Sequence, residues 1–567
     1  MKYSQLPFKT RKTVSADLQS KNAKLLIKAG YIHQEIAGVY TFLPLGLRVL
    51  SKIENIIREE MDKIGVEILM TSLAPLDHWK TTKRLESVDV LMKTTPANEK
   101  ARAKNDTEYV LSPTHEDMVT PLVQGFVKSY KDFPVAVYQI QTKFRNEPRA
   151  KSGLLRCREF RMKDLYSFHT SVEDLKAYYE KAKEAYWQVF ERLGLGKENS
   201  FLTLASGGDF TKDYSHEFQT VCDAGEDIIF HVASKNLTFN REVAPSMAPS
   251  IVDTEDVRAM EEVEGVGIIG VEKLAAYLKI PVEKTTKTIL FENEKKEIIA
   301  AGVRGGYDIN IEKLQKISNS HQLQLASVET VKKVTGAEVG YAGLLRLPKE
   351  VHVFMDESMK GRKNFEMGAN KTHYHSINVN FGRDLPEPEE FYDFKTAKEG
   401  DLYPETGETY EVSRAAEIGN IFPLNVKFSQ AFGFRYTDEQ GKEQPIYMGS
   451  YGIGPSRIMG VLVEKFADEK GLVWHENVAP FEVHLVGIRD REKAEEVYQT
   501  LIQRGTEVFY DDREVSTGEK FADADLLGMP VRLVVSPKTG DKVEWKKRTE
   551  EKTELLTIEE VTERLKR

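Results

Sequence analysis

Between positions 46 and 65, apolar residues fall at Leu47, Leu50, Ile53, Ile57, Met61 and Ile64, in steps of three and four. That spacing predicts a long amphipathic helix, stopped at its C-terminal end by Gly65. The apolar runs that follow are shorter: VEILM at 66–70, YVLSPTHEDM at 109–118 and VAVYQIQTKFRNE at 135–147 read as strands parted by helical stretches. This order predicts an α+β fold built on an antiparallel sheet.

A second pattern begins near Ile228. It has its own helix (GVEKLAAYLKI, 270–280) and strands (KTILFE, EIIAAGV, VHVFMD), and it leaves through DLPEPEEFYDF at 384–394. That exit is acidic and proline-containing, as exposed connections between domains are. From Ala479 onward, strand FEVHLVGI, helix EKAEEVYQTLIQRG, strand TEVFYDD, a helix around Phe521 to Leu527 and strand VRLVVS alternate. The expected organisation is a catalytic domain at 1–227, an inserted α/β domain at 228–396, a return at 397–474, and a C-terminal α/β domain with a largely parallel sheet at 475–567.

A chain of 567 residues exceeds what one core serves, and 40% hydrophobic with 30% charged residues is the balance of a folded soluble protein. The net charge of −9 means that a polyanionic partner must be met by local basic patches. Only two cysteines occur, Cys157 and Cys222, too far apart in sequence for a CxxC zinc knuckle or a disulfide framework. A cytoplasmic location without structural zinc is expected, and with no apolar run near 18 residues, no membrane partner.

The segment TKFRNEPRAKSGLLRCREFRMKDLYSFH (142–169) packs Arg145, Arg149, Arg156, Arg158 and Arg161 with Glu147, Glu159 and Asp164. Such a hairpin suits a polyphosphate, although a solvated charged hairpin has the same composition. In MGSYGIGPSRIMG (448–460), Gly452 and Gly454 let backbone approach a ligand and Arg457 opens a helix. In AAEIGNIF (415–422), Glu417 and Asn420 stand three residues apart.

Phe144 to Glu147 (Phe-Arg-x-Glu) with Arg158 to Phe160 (Arg-Glu-Phe) resembles motif 2 of class II aminoacyl-tRNA synthetases, and 448–460 resembles motif 3. Residues 46–76 resemble motif 1, the usual dimer element, with Thr71 where that motif's proline is expected. Together with SPTHE (112–116), MKDLYSFH (162–169), the long insertion and the C-terminal domain, the chain resembles the bacterial prolyl type over essentially its whole length.

The resemblance implies an enzyme that activates proline with ATP and magnesium and transfers it to tRNA(Pro) as a homodimer. It assigns catalysis to Arg145, Glu147 and Arg457, and ATP binding to these with Arg156, Phe160, Glu417, Asn420, Gly452 and Gly454; Glu417 and Asn420 hold magnesium through ATP. Proline falls to Thr114, Glu116, Arg145, Met162, Asp164 and Tyr166. The insertion resembles an editing domain through PVEKTTKTILF, MDESM and GANKTHYHSINV, which points to Lys287, Asp356 and His373 for hydrolysis of mischarged alanyl-tRNA(Pro). A proline pocket forfeits only about 1–3 kcal/mol per missing methylene, so a second hydrolytic site is the physical remedy. The C-terminal domain resembles an anticodon-binding domain, with Asp511, Arg513, Lys520, Phe521 and Asp523 as contacts. The competing readings are a threonyl or histidyl class II enzyme, which the insertion disfavours, and a catalytically silent paralogue, which the intact Arg145, Glu147, Phe160 and Arg457 disfavour. A protein devoted to hydrolysing mischarged tRNA remains open.

Overall fold

The computed structural model describes residues 1–150, 152–208, 210–211 and 213–565. The chain forms two compact units: one holds Met1–Leu202, Gly207–Asp227 and the chain from Arg414 on, the other Thr203–Ser206 and Ile228–Ser413.

In the first unit, the amphipathic pattern at 46–65 becomes the helix Pro44–Met61, with Pro44 in its first turn; it ends at Asp62, three residues before Gly65. The helix lies on a sheet whose strands run in the order Ser215–Val221, Glu411–Asn425, Tyr447–Ile453, Glu159–His169, Val135–Phe144 and Val66–Glu67. All neighbours are antiparallel except the last pair. The helices Val172–Arg192 and Pro455–Phe466 pack with Pro44–Met61 on the same core as Tyr138, Ile140, Leu165, Tyr451 and Ile453. Because strand side chains alternate, the intervening positions Gln139, Gln141, Lys143, Met162, Asp164, Tyr166, Ser450 and Gly452 belong to the opposite face, and that face carries the candidate chemistry.

Two strand expectations shorten. Of VEILM only Val66–Glu67 is strand, and the run at 109–118 splits into strand Tyr109–Leu111 and a helix that begins at Glu116. Ser-Pro-Thr breaks the alternation there, and Glu116 and Asp117 take up first-turn positions where acids suit the helix dipole. The C-terminal sheet is mixed rather than largely parallel: Val508–Asp511, Val483–Gly487 and Val531–Val535 are parallel, and Val543–Lys547 and Glu554–Leu556 add antiparallel.

In the second unit, a sheet ordered Leu323–Leu325, Thr286–Asn293, Ile298–Arg304 and His352–Met355 shares a core around Leu290, Ala300, Leu344 and Met355 with a three-stranded sheet containing Phe365–Gly368. Residues 397–413 belong here as well, since Tyr403 and Tyr410 pack with Phe230 and Phe239.

Candidate active site

The hairpin of Val135–Phe144 and Glu159–His169 brings the arginines of 142–169 to one end of the sheet. Arg156 donates from Nε to Glu147 at 2.7 Å and approaches Glu226 at 3.6 Å. Across a cavity of about 230 Å³, Arg457 donates to the Glu417 carboxylate at 2.8 Å, and Asn420 donates to the other Glu417 oxygen. The Arg145 guanidinium rests 5.1 Å over the Phe160 ring. Burial and then the like charge of Arg457 hold Arg145 below its ordinary pKa. Burial also works against Arg457, but Glu417 together with Glu226 and Asp227 leaves that pKa raised. Four carboxylates, Glu147, Glu226, Asp227 and Glu417, line the cavity against the guanidinium groups of Arg156 and Arg457, so the cations that could meet a polyanion are here paired with the site's own acids.

Residues three apart on a regular strand point to opposite faces, yet Glu417 and Asn420 touch. A bulge reconciles them: against Phe218 and Gln219, the Glu411–Asn425 strand advances from Gly419 to Glu417, leaving Ile418 as the extra residue. On the neighbouring strand, a Cβ at Gly452 would come within 2.5 Å of Met162 Cε and 2.7 Å of Asn420 Oδ1. Glycine there lets the two sides of the site close up. At Gly454 the nearest atom to an added Cβ is Arg457 Cβ at 3.3 Å, so this residue forms the turn into the helix that carries Arg457.

Beside the cavity lies a largely buried polar cluster. Thr114 donates to Glu116, whose other oxygen accepts from Ser450 Oγ at 2.9 Å. Asp164 sits 2.7 Å from Lys143 Nζ and accepts from Gln139 at 3.0 Å and from the Tyr166 hydroxyl at 2.9 Å. Lys143 also reaches His115 Nδ1, while His115 Nε2 bonds the Thr71 carbonyl at 3.0 Å. Burial, and then Lys143, push His115 down to about 4, so the ring is neutral, accepting at Nδ1 and donating at Nε2. Arg84 pairs with Asp117 and stands 3.8 Å from Glu116. Asp164 and Tyr166 are thus engaged with protein partners beneath Met162 and Thr114.

Sequence reasoning did not single out Gln139, Lys143, His115, Ser450, Glu226 or Asp227. The first two had a signal, since they share strand parity with Gln141 and lie on the face that bears Met162. Glu226, just before the strand Asp227–Val232, and Asp227, its first residue, had none.

In the second unit, Lys287 pairs with Asp308, and His373 Nδ1 lies 3.4 Å from the Tyr341 hydroxyl. Asp356 is fully buried and accepts from the backbone amides of Ser358, Phe394 and Lys395 at 2.9–3.0 Å. Its carboxylate therefore anchors the 394–395 chain. In the C-terminal domain, Arg513 donates to both Asp511 oxygens at 2.8 and 2.7 Å and to Asp523 at 2.8 Å. Lys520 donates to the carbonyls of Gly487 and Asp511, and Phe521 lies under Arg532 at 4.6 Å.

Comparison with known proteins adds matches of three kinds. The family pattern for the tRNA synthetase class II core domain (G, H, P, S and T) matches residues 99–466, and that for the anticodon binding domain matches 478–567. A proline–tRNA ligase of Geobacillus sp. (strain WCH70) is 38% identical over 574 residues, covering 100% of this chain and 99% of that protein. The proline–tRNA ligase of Geobacillus kaustophilus is 39% identical over 549 residues, covering 96% and 95%. Among solved structures, prolyl-tRNA synthetase from Cryptosporidium parvum complexed with halofuginone and AMPPNP shares the fold with a TM-score of 0.57 at 13% identity, over 96% of this chain and 75% of that one. The Giardia lamblia enzyme in complex with prolyl-adenylate gives 0.55 at 14%, over 95% and 74%.

Proposed function

The chain belongs to the bacterial-type proline–tRNA ligases of synthetase class II, and from that premise we propose how its residues divide the reaction. The proline carboxylate attacks the α-phosphorus of ATP, the bond to pyrophosphate breaks, and the terminal ribose hydroxyl of tRNA(Pro) then takes the prolyl group from AMP. Charge spreads over the phosphoryl oxygens in the first step, so catalysis needs fixed cations rather than a covalent nucleophile. Arg145 meets the α-phosphate and the substrate carboxylate, Arg457 and Arg156 meet the outer phosphates, and Glu147 with Phe160 holds adenine. Thr114 and Glu116 accept from the proline nitrogen, and Met162 walls the ring. What carries this reading is the meeting of Arg156 and Arg457 on one cavity, with Arg145 close enough to feel the charge of Arg457, beside the Thr114–Glu116 pair.

Among the described residues, no three His, Cys, Asp or Glu side chains are grouped to hold a metal ion. Asn420 presents its amide nitrogen to Glu417, so this pair would hold a magnesium ion, with most of its ligands from phosphates and water, once the Asn420 amide turns its oxygen toward the Glu417 carboxylate. When bound, it neutralises phosphoryl charge.

The inserted unit is proposed to hydrolyse mischarged alanyl-tRNA(Pro), with Lys287 and His373 facing the substrate and Asp356 holding the chain beneath. The C-terminal domain is proposed to read the anticodon. The homodimer is proposed on the exposed apolar residues Val66, Leu69 and Leu73 of the motif 1 region.

The test is amino-acid-dependent exchange of labelled pyrophosphate into ATP, screened over twenty amino acids. Exchange is expected with proline and is expected to fall about 100- to 1,000-fold in Arg145→Ala, the scale of removing one donor aimed at transition-state charge. Undiminished exchange in the variant would overturn the site. The same preparations, given alanyl-tRNA(Pro), should hydrolyse it, and failure of Lys287→Ala to slow this would remove the editing assignment.

A further inference from the structure

Residues 2–10 lie along the C-terminal domain. Lys2 forms a parallel bridge with Tyr510, and its ammonium lies 2.9 Å from Glu495. Ser4 donates to the Asp512 carboxylate twice, from its amide at 2.8 Å and its hydroxyl at 2.6 Å. The Tyr3 ring packs 5.1 Å from Phe509, and the Arg513 guanidinium lies over the Tyr3 ring at 3.6 Å from its centroid. Thr10 Oγ1 donates to Asp523 at 2.9 Å and the Tyr3 hydroxyl reaches the same carboxylate at 3.4 Å, so the acid that receives Arg513 is itself fixed by this segment.

Three of the residues this segment contacts, Tyr510, Asp512 and Arg513, line a hollow of about 590 Å³ together with Arg489, Arg491, Lys520, Asp490 and Glu514. It opens beyond the carboxyl ends of Val483–Gly487 and Val508–Asp511, where parallel α/β sheets receive ligands. Its cations suit an RNA strand, but Asp490, Asp512 and Glu514 face the same space and would repel phosphate. Ser4 engages both Asp512 oxygens, and Tyr3 supplies the surface on which Arg513 is stacked.

We infer that Tyr3, Ser4 and Thr10 are positioning residues of the RNA-reading hollow, holding Arg513 presented and Asp512 occupied so that the hollow offers its cations to tRNA. The inference rests on the reading of the C-terminal domain as the tRNA-reading one. It assigns part of anticodon recognition to the opposite end of the chain from the domain that carries it.

The test separates tRNA binding from adenylation in the full-length enzyme. Tyr3→Ala is expected to raise KM for tRNA(Pro) about tenfold, the scale of one charge-assisted interaction, while kcat and tRNA-free pyrophosphate exchange stay at wild-type values. Tyr3→Phe keeps the stack and should stay well below the effect of Tyr3→Ala, since it gives up only the hydroxyl's bonds to Thr10 and the long one to Asp523. Thr10→Ala, which leaves the stack in place, is the second variant should Tyr3→Ala fold poorly, and it should raise KM by an intermediate factor. An unchanged KM for tRNA in Tyr3→Ala and Thr10→Ala, or exchange falling in step with aminoacylation, would overturn the inference. Arg513→Ala tells the two levels apart: if it too leaves KM for tRNA unchanged, the reading of the hollow fails, whereas a rise there without one in Tyr3→Ala sinks the positioning role alone.

Discussion

His115 shows what burial does to a single side chain here. The ring is fully enclosed, with the Lys143 ammonium against one nitrogen, and burial with that charge pushes it down to about 4. In the unfolded chain the same ring titrates at its ordinary value near 6.5, so between those values the unfolded state holds a proton that the folded state refuses. Stability from this group is therefore complete above about 6.5 and declines as pH falls toward 4, by about 3 kcal/mol. His115→Gln keeps an acceptor and a donor but cannot take up a proton, so urea midpoints measured from pH 7 to pH 4 should decline less steeply than in wild type. An equally steep acid limb would show that the ring is charged in the folded protein. The neutral ring also leaves the Glu116 region without a histidine that titrates between pH 6 and 7.

At the scale of elements, the proposed site is shaped by two departures from regularity, the bulge at Ile418 and the bare backbone at Gly452. Gly452→Ala would press on the far ends of Met162 and Asn420, which are flexible, so the sheet should tolerate the change while the wall of the amino-acid site and the candidate magnesium ligand both shift. The expected result is an unchanged thermal midpoint with proline-dependent exchange slowed about tenfold, a modest misplacement penalty. Wild-type exchange would show that the narrow strand pair is not needed. Periodicity made much of this scale legible: the helix Pro44–Met61 and the hairpin of Val135–Phe144 with Glu159–His169 follow directly from their apolar spacing. The Glu417–Asn420 contact was legible only as a family spacing, because nothing in the local sequence announces the extra residue that turns both toward one face. Residues 109–118 misled because apolar and polar residues mix there without a period, and only the acids at Glu116 and Asp117 mark the helix start. Glu226 and Asp227 were invisible for a different reason: they enter the cavity from the start of a strand whose position is set by partners distant in sequence.

For the whole molecule, sequence order and spatial grouping diverge. Thr203–Ser206 and residues 397–413 belong to the inserted unit although they flank it in sequence, which no compositional shift reveals. On the proposed dimer, Leu69 is 74% exposed in the single chain, and Leu69→Asp would bury an unpaired charge in the interface at a cost of several kcal/mol. Sedimentation should then find a dimer in wild type and a monomer in the variant; dimers of equal strength in both would place the interface elsewhere. Tyr3 and Asp523, joined at the RNA-reading hollow, are 520 residues apart. A ribosome adding about 5–20 residues per second needs roughly half a minute to two minutes to travel that distance. Throughout that interval the early segment has no Phe509, Asp512 or Arg513 to dock on, so its packing on the C-terminal domain is among the last contacts of the nascent protein to form.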